Sequence, residues 1–324
     1  MPQKDFRVVF MGTPEFAVAS LKALLDAGFN VVAVITSPDK PAGRGQKLQE
    51  SDVKKFAKPL NIPILQPERL KNPAFISELQ SYLADLQVVV AFRMLPEIIW
   101  KMPRLGTINL HASLLPQFRG AAPINWAIIN GEKITGVTTF FIEKEIDTGK
   151  IIHSQKVTIE DSDDAGTLHD KLMETGARLL RKTVEGIESG NYPQTDQFSS
   201  IQPGTELKIA PKIFKEGCKI DWTAPIGKIH DFIRGLCPYP ASWSAMVNTH
   251  TNERNSLKIF ASKPEFCDHT QKTGSISTDG KKFMKIAVPG GYIHLLTLQL
   301  EGKKRLTTEE FLRGFKNPRD YRLE

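Results

Sequence analysis

Arg7–Thr36, RVVFMGTPEFAVASLKALLDAGFNVVAVIT, decides the fold. Arg7–Gly12 is a short apolar run that reads as a buried strand, and it breaks at Gly-Thr-Pro. Thr13 has a side chain that can cap a helix and Pro14 suits a helix's first turn, so Glu15–Gly28 is expected to be helical, with Gly28 stopping it. Val31–Thr36 follows as a second buried strand. Strands that are apolar on both faces and joined by a helix belong to a mostly parallel, doubly wound sheet. The pattern recurs at LQVVVAF (Leu86–Phe92) and GTINL (Gly106–Leu110), with helical stretches between. The opening turn, MGTPEF, lacks the Gly-x-Gly-x-x-Gly spacing that brings backbone onto a pyrophosphate, so a dinucleotide site is poorly supported.

The chain has 324 residues, which suits two domains of ordinary size. Apolar residues make up 40% and charged residues 24%, the profile of a globular chain and not of a disordered one. Apolar runs such as VVAVI and VVVAF fall far short of the roughly 18 residues that cross a bilayer, and the N-terminus has no signal-peptide core. A cytoplasmic location is therefore expected. Cys218, Cys237 and Cys267 are odd in number and widely spaced, which fits neither a disulfide framework nor a zinc site, and no metal is assigned.

Residues 164–190 carry apolar side chains at helical spacing and end at Gly190, closing a first domain at 1–190. Residues 191–207 are polar and punctuated by Pro193, Pro203 and Gly204, as a linker running over the surface would be. Short β-rich runs fill 208–324, suggesting a small barrel or sandwich. Charge divides the same way. Residues 1–207 carry 23 Lys+Arg against 24 Asp+Glu, whereas 208–324 carry 20 against 12, a net of +8. That asymmetry fits either a polyanionic partner or a basic solvated surface.

In the open α/β architecture the ligand crevice lies beyond the carboxyl ends of the strands, so within Thr107–Gly120, TINLHASLLPQFRG, the residues just after Leu110 should fall in it. Alternation lets Ile108 and Leu110 face the core while Asn109 and His111 share the other face. An imidazole exchanges protons near neutrality, and an amide N–H beside it can stabilise oxygen charge on an attacked carbonyl. Asp147 sits in an Asp-Thr-Gly turn; it is either plain turn chemistry or a carboxylate that meets His111 in space. The connection Ser37–Asp52 is long, rich in Gly and Pro, and carries Lys40, Arg44 and Lys47, so it reads as a solvated loop or as a lid over an anionic substrate. No serine sits in a nucleophile elbow.

The run Asn109–Pro116, then Arg119–Ile124 (RGAAPI) and Asp147-Thr148-Gly149, resembles the folate-dependent formyltransferases. Within them it is most similar to the branch whose acceptor is the amine of charged initiator methionyl-tRNA. MGTPEFA, PAGRG, APKIFKEGCKIDW (Ala210–Trp222), IRGLCPYPASW (Ile233–Trp243) and EGKKRLTTEEFLRG (Glu301–Gly314) extend the likeness over nearly the whole chain. The resemblance implies a Rossmann-like α/β formyltransferase domain followed by an OB-like β-barrel that binds tRNA, with 10-formyltetrahydrofolate as formyl donor; a monomer is expected, although the sequence does not decide the oligomeric state. By the same resemblance Asn109, His111 and Asp147 are catalytic. Ser113, Leu114, Leu115 and Pro116 line the folate site with the turn Phe92, Arg93, Met94 and Leu95, and Arg44 and Lys47 approach the tRNA. The chain departs from the family at Glu145, where a glycine is usual, and in the shorter turn AFRMLP. Two alternatives stay open from the residues alone: transfer to a small amine, and a noncatalytic RNA-binding protein on an enzyme scaffold.

Overall fold

The computed structural model describes residues 5–42, 47–199, 201 and 204–324. It forms two compact units, one of Met1–Gly120, Ile134–Thr158 and His169–Ile209, the other of Ala121–Lys133, Ile159–Leu168 and Ala210–Glu324.

The chain begins with β1 (Arg7–Gly12), α1 (Glu15–Asp26), β2 (Asn30–Ile35), β3 (Lys40–Ala42) and β4 (Lys47–Gln49). Next come α2 (Asp52–Ala57), β5 (Ile64–Leu65), α3 (Pro73–Ser81), β6 (Leu86–Val90), α4 (Glu97–Trp100), β7 (Thr107–His111) and β8 (Arg119–Gly120). Then α5 (Pro123–Ile129), β9 (Ile134–Phe141), β10 (Ile151–Thr158), α6 (Ala165–Ser189) and β11 (Ile209–Ala210) follow.

The first unit is built on a seven-stranded sheet in the order β10-β9-β7-β6-β1-β2-β5. β1, β2, β5, β6 and β7 run parallel, while β9 and β10 add an antiparallel edge. This is the mostly parallel sheet expected from the strand-helix-strand opening. Strand order reverses at β1, which pairs β2 on one side and β6 on the other, and such a reversal opens a crevice at the carboxyl ends. Gly12 lets the chain close there: a β-carbon on it would lie 2.5 Å from Ala17 Cβ and 3.0 Å from the Val90 carbonyl. Pro14, not Thr13, is the N-cap of α1 and makes no side-chain cap; the Thr13 hydroxyl sits 3.0 Å from that of Ser37 instead.

Helices cover both faces of the sheet. On one, Phe75 and Leu79 of α3 and Ile99 of α4 pack on Val9, Met11, Ile35 and Val89. On the other, α6 lies over β7 and β9: Thr183 Oγ1 is 2.8 Å from Thr139 Oγ1, and a β-carbon at Gly176 would meet Leu110 Cδ2 at 2.9 Å. The connection after β2 is not a plain loop, since β3 and β4 pair antiparallel within it and Ser51 then caps α2 by accepting the Lys54 N–H at 3.1 Å.

The second unit continues with α7 (Ile226–Leu236), β12 (Ser242–Asn248), β13 (Arg254–Phe266), β14 (Ile276–Thr278), β15 (Met284–Val288), β16 (Gly291–Leu300), β17 (Leu306–Thr307), α8 (Thr308–Gly314) and β18 (Tyr321–Leu323). Its strands run antiparallel in the order β14-β15-β16-β13-β12-β18. Leu323 donates its N–H to the Gly274 carbonyl at 2.9 Å and Ser275 bridges Arg322, so the two edges nearly meet and the sheet is a nearly closed barrel. Ile226, Ile229 and Ile233 of α7 and Phe311 and Leu312 of α8 plug the barrel core with Leu257, Ile286 and Leu298. Neither helix belongs to the β-only expectation for this part.

Among the described residues no helix is long and apolar enough to cross a membrane. All three cysteines are free thiols, and burial pushes Cys237 up to about 12.

Candidate active site

β7 carries the site. Ile108 and Leu110 are fully buried, while Asn109 and His111 occupy the other face of the strand, as the pleat dictates. Parallel pairing sets Asn109 beside Val89 and antiparallel pairing sets it beside Phe140. Its half-buried amide has no hydrogen-bond partner among the described residues, which leaves its N–H groups available to a ligand.

His111 is 6% exposed. Its Nε2 lies 2.9 Å from the Phe118 carbonyl, and because a carbonyl only accepts, Nε2 must carry a proton. Proton exchange therefore falls to Nδ1. Phe118 adopts φ +57°, a left-handed conformation that costs a residue with a β-carbon about 1–2 kcal/mol. The carbonyl that fixes the ring thus comes from a strained residue, as is common where geometry serves a site.

Nδ1 faces Asp147 Oδ2 at 3.9 Å. That separation is too long for a hydrogen bond, so the two groups face each other without one, both largely buried. Asp147 is itself left-handed, at φ +54°, and its Oδ2 accepts the Gly120 N–H at 3.0 Å. Gly149 closes the turn where no other residue fits, since a β-carbon would lie 1.7 Å from the Phe141 carbonyl. Glu145, the departure from the family, is exposed at the start of this turn, and its carbonyl accepts the Thr148 hydroxyl at 3.0 Å.

The Ser113–Pro116 turn is anchored to β9. Thr138 Oγ1 donates to the Ser113 carbonyl at 2.7 Å and accepts the Leu115 N–H at 3.2 Å. Ser113 spends its own proton on the Gln117 carbonyl at 2.6 Å. Leu115 is buried, while Leu114 and Pro116 stay half-exposed.

The Phe92–Leu95 turn follows β6, the strand next to β7, after a left-handed Ala91. Its four residues diverge. Leu95 sinks into the core and Phe92, half-buried, packs against that same core; Arg93 gives its guanidinium to the carbonyls of Pro67 at 2.7 Å and Glu68 at 3.1 Å; Met94 is 73% exposed. Burial lowers the Arg93 guanidinium from its ordinary value. Arg44 lies outside the described residues, as does the side chain of Lys47.

Gln197 belongs to this site although it falls in a polar stretch expected to run over the surface. It is 1% exposed. Its Oε1 accepts from Arg119 Nε at 3.2 Å and Nη2 at 2.6 Å, and its Nε2 donates to the carbonyls of Asp147 at 2.9 Å and Gly149 at 2.8 Å. Burial lowers the Arg119 guanidinium and the Asp147 charge opposes that shift. Among the described residues no three His, Cys, Asp or Glu side chains gather as metal ligands would.

A proton-exchanging imidazole, an unpartnered amide and a carboxylate at the crevice form a set suited to acyl transfer. Residues 6–184 match the family described as Formyl transferase, and 212–316 match Formyl transferase, C-terminal domain. The chain is 54% identical to the methionyl-tRNA formyltransferase of Bacteroides thetaiotaomicron over 323 residues, covering 100% of both chains. It is 56% identical to that of Bacteroides fragilis over 315 residues, covering 97% of each. The chain belongs to the methionyl-tRNA formyltransferases. As a member of that family it is a transferase that uses a formyl-folate donor. Its fold extends to more distant proteins: the sugar 3N-formyl transferase WlaRD superposes with a TM-score of 0.65 at 20% identity, covering 93% of this chain and 100% of that one. The N-formyltransferase of Helicobacter canadensis superposes with a TM-score of 0.64 at 19% identity, covering 92% and 99%.

Proposed function

We propose that this chain transfers the formyl group of 10-formyltetrahydrofolate to the free amine of initiator methionyl-tRNA, producing the formylated initiator for translation in the cytoplasm. The observation that carries the catalytic reading is the approach of His111 Nδ1 to Asp147 Oδ2 beside the unpartnered amide of Asn109. When bound, the donor supplies an electrophilic formyl carbon. Asn109 aims its N–H at the formyl oxygen and stabilises the charge that grows there as the amine attacks. His111 exchanges a proton through Nδ1 while Phe118 holds its other nitrogen, with the Asp147 carboxylate facing Nδ1 at 3.9 Å. The amine nitrogen gains the formyl carbon and loses a proton; the folate nitrogen gives up that carbon and gains one.

The folate's apolar parts are assigned to Leu114 and Pro116, which are half-exposed on a turn whose backbone Thr138 holds, and to Phe92, which is half-buried just past the end of β6. In this reading residues 1–190 carry the reacting groups, 191–207 link while packing Gln197 on the Asp147 turn, and 208–324, with their net charge of +8, hold the RNA backbone. Arg44 and Lys47 approach the acceptor end, and the chain acts as a monomer. The test is incubation with 10-formyltetrahydrofolate and charged initiator tRNA, followed by mass analysis of the released aminoacyl group. Unmodified methionine after many enzyme equivalents of time would remove this function.

A further inference from the structure

We infer that Gln197 is a positioning residue for the transfer, acting through Asp147; the inference rests on the catalytic reading of Asp147 given above. Four hydrogen bonds saturate the Gln197 amide: two accepted from Arg119 and two donated to the carbonyls of Asp147 and Gly149. An amide oxygen offers two lone pairs and an amide nitrogen two protons, so none is left over.

The orientation of this amide is fixed by its neighbours. A guanidinium only donates and a carbonyl only accepts, so turning the amide over would set like against like at all four contacts. Gln197 therefore works as a rigid clamp. Its nitrogen grips the backbone on both sides of Thr148, and its oxygen is locked by Arg119, whose own ring contact with Phe198 spans 5.2 Å. Arg119 is also the residue just before Gly120, whose N–H binds Asp147 Oδ2. The carboxylate is thus held from two directions, at its oxygen by Gly120 and at its backbone by Gln197.

That grip matters because Asp147 has no hydrogen bond to His111. At 3.9 Å its effect depends on where the turn carries it, and no hydrogen bond to the ring fixes that position. A left-handed Asp147 needs surrounding structure to hold it, and the Gln197 contacts supply that support.

The test compares Gln197→Glu and Asp147→Asn, singly and together, by single-turnover formylation, with donor binding and melting temperature measured on each. Glutamate keeps the size and the Arg119 contact but sets carboxylate oxygens against two carbonyls. Gln197→Glu is expected to slow the chemical step roughly ten- to a hundredfold, as a misplaced catalytic group does, with donor affinity within about twofold of wild type. In the Asp147→Asn background the same change should add little further loss, because the group it positions is already disabled. Arg119→Lys, which keeps the charge but not the paired N–H groups, serves if Gln197→Glu does not fold, and the same non-additivity is expected. A wild-type rate in the folded Gln197→Glu variant, or losses that multiply in the double variant, would overturn the inference while leaving the catalytic reading intact. A fully active Asp147→Asn would instead remove the catalytic reading, and the inference with it.

Discussion

Gly120 N–H binds Asp147 Oδ2 at 3.0 Å, and that same oxygen is the one facing His111 Nδ1. A neutral amide at position 147 keeps an acceptor for Gly120 but removes the charge from beside the ring. Asp147→Asn should therefore lower turnover by roughly a hundredfold or more, the scale of lost acid-base assistance, with little change in melting temperature. Rapid-quench formylation alongside calorimetry checks both halves.

Asn109 tests the other component of the site. Removing one donor to a developing oxyanion typically lowers turnover by about a hundred- to a thousandfold. Asn109→Ala should lose that much rate while tRNA affinity holds, since the amide bonds no other described residue and its loss leaves nothing in the fold unpaired. A filter-binding measurement beside the rate assay separates the two.

Gly149 tests the turn. A β-carbon there would overlap the Phe141 carbonyl at 1.7 Å, so Gly149→Ala must push the turn off the end of β9. Both melting temperature and turnover should fall, in contrast to Asp147→Asn, where only turnover does.

How much of this was legible follows the range of the forces involved. The β1-α1-β2 unit is written in local patterns, apolar runs closed by Gly-Thr-Pro and Gly28, and the structure keeps it with ends moved by a residue or two. The common face of Asn109 and His111 follows from strand alternation alone. The meeting of His111 with Asp147 does not, because β9 must first lie antiparallel against β7. Gln197 is hidden more deeply: a glutamine among Pro, Thr and Asp looks solvated, and only its contacts with Arg119, Asp147 and Gly149 reveal burial. α7 does carry a helical signal in Ile226, Ile229, Ile233 and Leu236, but β-rich surroundings on its C-terminal side mask it. The Thr307–Glu310 capping box marks α8 equally plainly.

The barrel has its own acid response. Glu265 accepts two hydrogen bonds from Lys285, at 2.8 and 2.9 Å, and is also bonded to His294; these partners, Lys285 foremost, hold its carboxyl down at about 2. A carboxyl depressed on folding contributes stability that is complete above its unfolded value near 4.5 and is lost as pH falls through the folded value. Glu265→Gln should thus melt below wild type at pH 7, by a few degrees at most because the carboxylate is well exposed, and the difference should shrink as pH drops from 4.5 toward 2. Thermal melts across that window give the curve.

Salt separates a macromolecular acceptor from a small one. Phosphate contacts release counterions, so affinity falls linearly with salt on logarithmic axes, with a slope set by the number of contacts. The excess charge of the chain lies wholly in residues 208–324, net +8 against −1 for the rest. If that part holds the tRNA backbone, binding of charged initiator tRNA should weaken roughly tenfold or more between 50 and 200 mM salt, as about two or more phosphate contacts require. Donor binding rests on Leu114, Pro116 and Phe92 in this reading and should change far less over the same range. Equal and shallow slopes for the two ligands would mean that the basic charge of 208–324 faces solvent, and the acceptor would then be a small amine held without backbone contacts.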